Sequence, residues 1–195
     1  SRLASRVYVV LGRFEAQNAD ELYRAAYDIA WEDIVSPGAS IAVTARGVTD
    51  ELRNTQFSAL RVKDALCDRL ADTTGKRADV DAADPDVHLV LSLKQRRASL
   101  NLDLSGEPLF KRLPPQATRP TKGPSVHVLR PDYAALVLAQ VGWSERVAAE
   151  LTPDDYEREA LPVLVDASCA GGGLLIEAVN ELLDIAPGRA RTRWG

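Results

Sequence analysis

Val163-Leu164-Val165-Asp166-Ala167-Ser168-Cys169-Ala170-Gly171-Gly172-Gly173-Leu174-Leu175-Ile176-Glu177-Ala178 reads as a short buried strand, a small-residue turn and the start of a helix. Pro162 opens the strand, and Val163, Leu164 and Val165 form the unbroken apolar run expected of a strand covered on both faces. Asp166 falls at its carboxyl end. Residues 170–173 have little or no side chain, so their backbone N–H groups can approach a ligand closely. Leu174, Leu175, Ala178, Val179 and Leu182 then recur at helical spacing. A helix N-terminus that follows a strand end is suited to a carboxylate or phosphate, and ligands of open α/β sheets collect at that end of the strands. A tight strand-to-helix turn with no ligand satisfies the same residues.

Two ligand classes are excluded by residue type. A phosphate-binding P-loop closes on Lys-Ser or Lys-Thr, and no Lys occurs between Val163 and Gly188. The G-x-G-x-x-G dinucleotide pattern is also missing from the turn.

The chain has 195 residues, 46% hydrophobic, with a formal net charge of −4. That length allows one large domain or two small ones. The charge argues against a wholly basic nucleic-acid binder and leaves room for a local basic surface. Cys67 and Cys169, the only cysteines, lie on unrelated elements, which points to free thiols in a reducing compartment and so to the cytoplasm. No run is apolar enough to span a bilayer, and no membrane partner is expected. There is no Met, and the chain stops at Trp194-Gly195 one βα unit into a sheet, so it reads as a segment of something longer.

Along the chain, residues 6–14 read as a strand. Asn18 caps a helix over 19–29 with Asp20 and Glu21 in its first turn. Residues 40–46 form a second strand, and a second helix runs over 55–71, closed by Gly75. Residues 86–94 and 97–104 alternate polar and apolar around Gln95-Arg96, a half-exposed antiparallel hairpin. The order β-α-β-α-β-β is an α+β pattern. Residues 113–124 hold four prolines and no apolar periodicity, an extended linker. A helix then begins near Pro131 and ends at Gly142-Trp143, and residues 144–161 form a charged surface helix and loop before the opening motif.

Several segments together resemble one family, the THUMP-domain RNA guanine-N2 methyltransferases. Asp166, Cys169, Gly172, Ile176, Glu177 and Ala178 match its D-P-x-C-G-S-G-T-x-x-I-E-A signature, a form of motif I of class I S-adenosylmethionine-dependent methyltransferases. Ala167, Ala170, Gly171 and Gly173 replace its Pro, first Gly, Ser and Thr. Residues 1–6 resemble W-S-R-L-A-S-R; 53–57 and 62–65 resemble R-N-[TS]-Q-[FY]-x-A-x-K-V-K-D-A-I; 102–106 resemble L-D-L-S-G; and 186–188 and 193–195 resemble A-P-G and R-W-G.

The resemblance implies an α+β THUMP-like region over residues 1–112, a linker over 113–124, and the first βα unit of a Rossmann-like methyltransferase domain over 125–195. It implies an enzyme that moves a methyl group from S-adenosylmethionine to guanine N2 of large-subunit ribosomal RNA, with the base extruded from its helix. The loop that holds the amine lies downstream in the family, so no catalytic residue is expected in this chain. The cofactor candidates are Asp166, Ala167, Cys169, Ala170, Gly171, Gly172, Gly173 and Glu177. If position 170 needs φ > 0, its Cβ costs roughly 1 kcal/mol or more. The alternative reading is a non-catalytic RNA-binding module with a degenerate turn.

The RNA candidates are Arg53, Asn54, Lys63, Lys94, Arg96, Arg97, Lys111 and Arg112. Asn54 reads first as an N-cap and second as an RNA contact, and Arg53 can contact RNA or pair with Asp50. Lys63 has apolar helical neighbours Ala59, Leu60, Leu66 and Cys67, so it must snorkel or meet an anion. From Lys94 to Arg130 the charge balance is positive, which suits either a phosphate-tracking surface or a solvated hairpin tip and linker. Cys169 reads as a small turn residue, and His88 and His127 have no metal-ligand spacing, so no metal is expected. Nothing in the sequence sets an oligomeric state.

Overall fold

The computed structural model describes residues 1–112, 129–150, 163–187 and 189. The linker 113–124, the cations Arg119 and Lys122, His127, Pro162, Gly188 and residues 193–195 fall outside the described residues. The chain divides into two compact units, one built on Arg6–Gly106 and the other on Ser1–Ser5 with the chain from Glu107 onward.

The Arg6–Gly106 unit is a sheet covered on one face by helices. Its elements are β1 (Tyr8–Glu15), α1 (Ala19–Tyr27), a 3-10 turn (Trp31–Asp33), β2 (Ser40–Arg46), α2 (Thr55–Thr74), β3 (Asp79–Val80), β4 (Val87–Lys94) and β5 (Arg97–Asp103). The strand order is β1-β5-β4-β2-β3. β4 pairs antiparallel with β5 and β5 with β1, whereas β2 runs parallel to β4 and to β3. The expected β-α-β-α-β-β order is met, with β3 added. Two residues are too few for β3 to show any alternation.

Both predicted caps form. The Asn18 side chain accepts from the N–H groups of Asp20 and Glu21, and the Asn54 side chain accepts from that of Phe57. α1 stops at Tyr27 so that the chain can turn Trp31 inward, where its Nε1 donates to the Ala26 carbonyl at 2.7 Å. α2 continues to Thr74 and ends on Gly75 at φ 75°, a left-handed C-cap. Leu22, Trp31, Ile41, Val62, Leu66, Leu89, Leu91 and Leu100 are fully buried between helices and sheet. In β4 the core side is Leu89, Leu91 and Leu93, the alternation read from sequence. Val90 and Asn101, on the helix-free side, are buried too, at 6% and 5% exposure.

The other unit holds α3 (Pro131–Gln140), α4 (Trp143–Glu150) and α5 (Gly173–Leu182). Leu138, Trp143 and Ala178 form its small core, with Val147, Leu164 and Leu174 against it. Gly142, at φ 68°, ends α3, and Trp143 begins α4 instead of closing α3. Residues 163–165 depart from the expected buried strand. They have no ladder partner among the described residues, and Val163 and Val165 are 84% and 80% exposed. A parallel strand is buried only when neighbours pair with it and helices cover it. None of the described strands lies beside it in this unit.

Gly47 connects the end of β2 to the loop before α2 at φ 77°, and a Cβ there would stand 2.0 Å from the Leu93 carbonyl oxygen. Gly47→Ala is therefore expected to cost about 3 kcal/mol or more, combining strain and a backbone clash. Chemical denaturation should show the loss; a midpoint unchanged from the parent would refute this account of the β2 exit.

Candidate functional site

The turn before α5 is built from short hydrogen bonds and positive φ angles. The Asp166 carboxylate accepts from the Ser168 N–H at 3.0 Å, and the Gly172 N–H donates to the Cys169 carbonyl at 2.6 Å. Gly172 is the N-cap of α5 in the left-handed conformation, φ 73°, and no side chain caps this helix. The first-turn N–H groups of α5 are thus left to solvent or to a ligand. Ala167, Ser168, Cys169 and Ala170 are exposed, and Gly171 is half-buried. Ala170 has φ 42°. It is one of three non-glycine residues with positive φ among those described, so this position asks for the glycine it lacks. Uncapped N–H groups beside small side chains fit an anionic or polar ligand such as the carboxylate of an amino-acid-bearing cofactor.

Glu177 is placed differently from its turn neighbours. It is 1% exposed and faces the interior. Its Oε1 accepts from Arg2 Nη1 at 3.0 Å and from Arg112 Nη2 at 2.8 Å, and its Oε2 from Arg112 Nε at 3.3 Å. Arg112 Nη2 also donates to the carbonyls of Arg2 at 3.0 Å and Pro131 at 2.9 Å, and Nη1 to that of Leu109 at 3.3 Å. Arg2 Nη2 donates to the carbonyls of Asn180, at 2.9 Å, and Ile185, at the end of α5. One carboxylate and two guanidinium groups therefore tie the first residues, the segment 109–112, the start of α3 and the middle and C-terminal end of α5 together. With a side-chain exposure of 6%, Arg112 sits in the interior of its unit and offers no phosphate contact in this structure. Arg2 was not singled out as a site residue. An acid on the buried face of α5 needs a cation, and that was the available signal.

A second charged cluster sits at the start of α3. Asp132 accepts from Arg130 Nη2 at 2.5 Å and from Ser5 Oγ at 2.7 Å. The Arg130 guanidinium, with the Ser5 hydroxyl, pulls the Asp132 carboxyl down to about 2. Arg130 also lies over the rings of Phe110, at 4.1 Å, and Tyr133, at 4.6 Å.

The other RNA candidates separate. Arg53 donates from Nε to the Asp50 backbone carbonyl at 2.7 Å, not to its carboxylate. Asn54 is spent as a cap. Lys63 is half-buried and meets its neighbour Asp64 at 2.8 Å. Lys94, Arg96 and Arg97 are exposed at the β4–β5 turn, where Lys94 stands opposite Arg97 in the ladder with Gln95 at φ 56°. None of the three has an ion-pair partner among the described residues. β2 and β4 run parallel with Arg46 paired to Ser92 near their carboxyl ends, and eight residues separate β2 from α2, so Arg53, Asn54 and this turn share one end of the sheet. Lys111 belongs to the other unit and pairs with Glu107 at 3.2 Å. Cys169 is exposed and free. No group of His, Cys, Asp or Glu among the described residues could hold a metal, and no described helix is long and apolar enough to cross a membrane.

Removing Glu177 would leave two guanidinium groups facing each other in the interior. Glu177→Ala is expected to destabilise the chain by about 3–5 kcal/mol, read by thermal or urea denaturation; a loss below about 1 kcal/mol would mean that Arg2 and Arg112 are held by their carbonyls alone. For Asp132, the folded-state pKa is depressed, so its contribution is complete above the unfolded value near 4 and fades as pH falls towards 2. Because Arg130 is 42% exposed, that contribution is of order 1 kcal/mol. Asp132→Asn should flatten the stability profile between those pH values and leave its slope from pH 5 to 7 unchanged. An acid limb identical to the parent's would contradict it.

Comparison with known proteins agrees with this layout. The THUMP domain family model matches residues 16–103, nearly the whole of the Arg6–Gly106 unit. The ribosomal RNA large subunit methyltransferase K/L of Pseudomonas aeruginosa is 40% identical over 195 residues, which is 100% of this chain and 25% of the relative. The protein of the same name from Dichelobacter nodosus is 37% identical over the same length, 24% of that relative. The chain thus spans about a quarter of the length of the curated relatives it matches. Among solved structures, a predicted N6-adenine-specific DNA methylase from Listeria monocytogenes superposes with a TM-score of 0.70 at 26% identity, covering 99% of this chain and 45% of that one. A putative methyltransferase complexed with SAH gives 0.69 at 23% identity, covering 97% and 46%, a likeness of fold. The chain carries a THUMP domain at residues 16–103 and over its whole length is similar to a part of the large-subunit ribosomal RNA methyltransferases K/L.

Proposed function

We propose that this chain is the RNA-recognition region and the opening of the catalytic domain of an S-adenosylmethionine-dependent enzyme that methylates guanine N2 of large-subunit ribosomal RNA in the cytoplasm. In this reading residues 1–112 are the RNA-binding region, 113–124 the linker and 125–195 the start of the methyltransferase domain. The observation that carries it is the uncapped N-terminus of α5 behind an exposed small-residue turn. The motif-I resemblance at that turn and the similarity of the whole chain to part of the K/L relatives support the reading.

Each part of the turn has a physical task. Asp166, by accepting from the Ser168 N–H, orders the first bend. Ala167, Cys169, Ala170 and Gly171 keep the approach open, Gly172 sets the left-handed start of α5, and the first-turn N–H groups of α5 face the amino-acid end of the cofactor. S-adenosylmethionine supplies the electrophilic methyl group, and the chain's part is to bind and orient it. Glu177 acts from behind by fixing the angle of α5, through Arg2 and Arg112, and does not need to touch the cofactor. On the RNA side, Lys94, Arg96 and Arg97 are the accessible cations, joined by Arg53 at the same end of the sheet. Catalysis then rests on holding the guanine amine in line with the methyl–sulfur bond, which in the family is the task of a downstream loop.

One observation favours a second reading, an RNA-binding module whose cofactor turn has decayed. Ala170 holds a conformation that costs an L-residue roughly 1 kcal/mol or more. Calorimetric titration of S-adenosylmethionine separates the two. Saturable binding by the 195-residue chain is expected, tightened in Ala170→Gly and lost in Gly172→Val, whose branched side chain opposes φ 73°. Turnover by the 195-residue chain alone is not expected. Silence in this titration, repeated with the full-length protein, would replace the methyltransferase reading with the module.

A further inference from the structure

The helix-free face of the sheet carries a feature that the reading of the β4–β5 turn did not include. Register puts Tyr8 and Arg13 of β1, Arg97, Ser99 and Asn101 of β5, His88, Val90, Ser92 and Lys94 of β4, and Thr44 and Arg46 of β2 on this side. β1 and β2 are separated by β5 and β4, a span of about 14 Å at the usual strand spacing. Nevertheless the Arg46 guanidinium lies 5.0 Å from the centre of the Tyr8 ring, with Nη1 3.5 Å from its hydroxyl. The two side chains reach across the sheet from opposite sides and meet above its centre. This roof accounts for the burial of Val90 and Asn101 on a face that no helix covers. Arg46 is braced by Nε donating to Ser92 Oγ at 2.7 Å, and beside it Thr44 Oγ1 lies 3.1 Å from His88 Nε2.

Charge divides the two faces. α1, the 3-10 turn, α2 and Asp28 carry eight carboxylates against four cations, and three of those cations are paired within the layer. The helix-free face carries Arg13, Arg46, Lys94 and Arg97 against Glu15 and the buried Asp103, which Arg6 neutralises. Arg13, Lys94 and Arg97 make no ion pair among the described residues, and Lys94 faces Arg97 across the ladder. Lys94 and Arg97 opposite one another are destabilising, and with Glu15 opposite Arg97 in the β1–β5 ladder the face still carries more cations than acids, an excess that an external anion offsets.

The geometry points to the helix-free sheet face as the seat of a single-stranded RNA segment, with a base stacked at the Tyr8–Arg46 pair and phosphates along Lys94, Arg97 and Arg13. This rests on the reading of the chain as RNA-binding and assigns that role to one face. A polyanion matches the unpaired cations; an aromatic ring with a stacked guanidinium matches a splayed base; and Thr44, His88 and Ser92 offer hydrogen bonds to base edges. A continuous duplex presents no free base face to Tyr8, so single strands are the ligand chosen.

Fluorescence anisotropy of a short mixed-sequence single-stranded RNA with the 195-residue chain tests it. Tyr8→Leu is expected to weaken binding about tenfold without altering its salt dependence. Arg46→Glu should weaken it by at least as much and reduce the salt slope by about 0.7. Arg24→Glu, the same charge change on exposed α1, should alter affinity less than about twofold. If Arg46→Glu is no worse than Arg24→Glu while the parent binds, the face is not the site and the RNA-binding reading survives elsewhere. If the parent binds no RNA, the RNA-binding reading itself falls. Concentration-dependent self-association that only Arg46→Glu removes would assign the face to a second copy of the chain and overturn the proposal. To guard against misfolded variants, photo-crosslinking of 4-thiouridine RNA to the parent should label the peptide containing Tyr8; labelling confined to α1 or α2 refutes it.

Discussion

A carboxylate with 1% exposure has lost its water and needs polar partners in its place, and Glu177 finds them in two guanidinium groups. Everything in the smaller unit hangs from that requirement. α5 cannot turn about its axis without withdrawing Glu177 from Arg112. The segment 109–112 cannot shift without taking its guanidinium away from the carbonyls of Arg2 and Pro131. The apolar core here is only Leu138, Trp143 and Ala178 with three flanking side chains. The ion cluster therefore supplies directional constraints that so few apolar contacts do not. The candidate cofactor turn inherits its position from this arrangement, because Gly172 is the residue from which α5 starts.

The larger unit solves the opposite problem. Its core is continuous and one-sided, and the helices bury Leu89, Leu91, Leu93 and Leu100 against α1 and α2. A sheet covered on one side must make its other side compatible with water or with a partner. Here it does so with hydroxyls, a histidine and cations, while the acids collect on the helices. A protein with net charge −4 can in this way present a basic face, and composition alone conceals it.

What the sequence revealed depended on range. α1, α2 and the β4–β5 hairpin announce themselves through periodicities of a few residues, and Asn18 and Asn54 through position at a helix start. The glycine-like demand at 170 was legible because the family pattern has Gly there, and φ 42° agrees. The contacts that define the sites were not legible. Arg112 and Glu177 are 65 positions apart, and Arg46 and Tyr8 are 38 apart on strands that do not touch. No local pattern links such pairs; strand order and register have to be known first. Arg112 illustrates the cost. Counted with a run of cations, it read as a surface residue, yet folding turns it inward to a carboxylate that lies in a motif assigned to a different task. The run at 163–165 erred the other way: its apolar character predicts burial, but burial of a strand depends on neighbours, which its own residues do not specify.

That run has a practical side. Val163 and Val165 are β-branched and exposed, and no ladder uses the backbone between them among the described residues. An unpaired apolar strand segment is an adhesive edge, ready to accept any extended chain that offers complementary N–H and C=O groups. Whether this stretch is adhesive is set by what pairs with its backbone, and its own apolar side chains only make such pairing favourable.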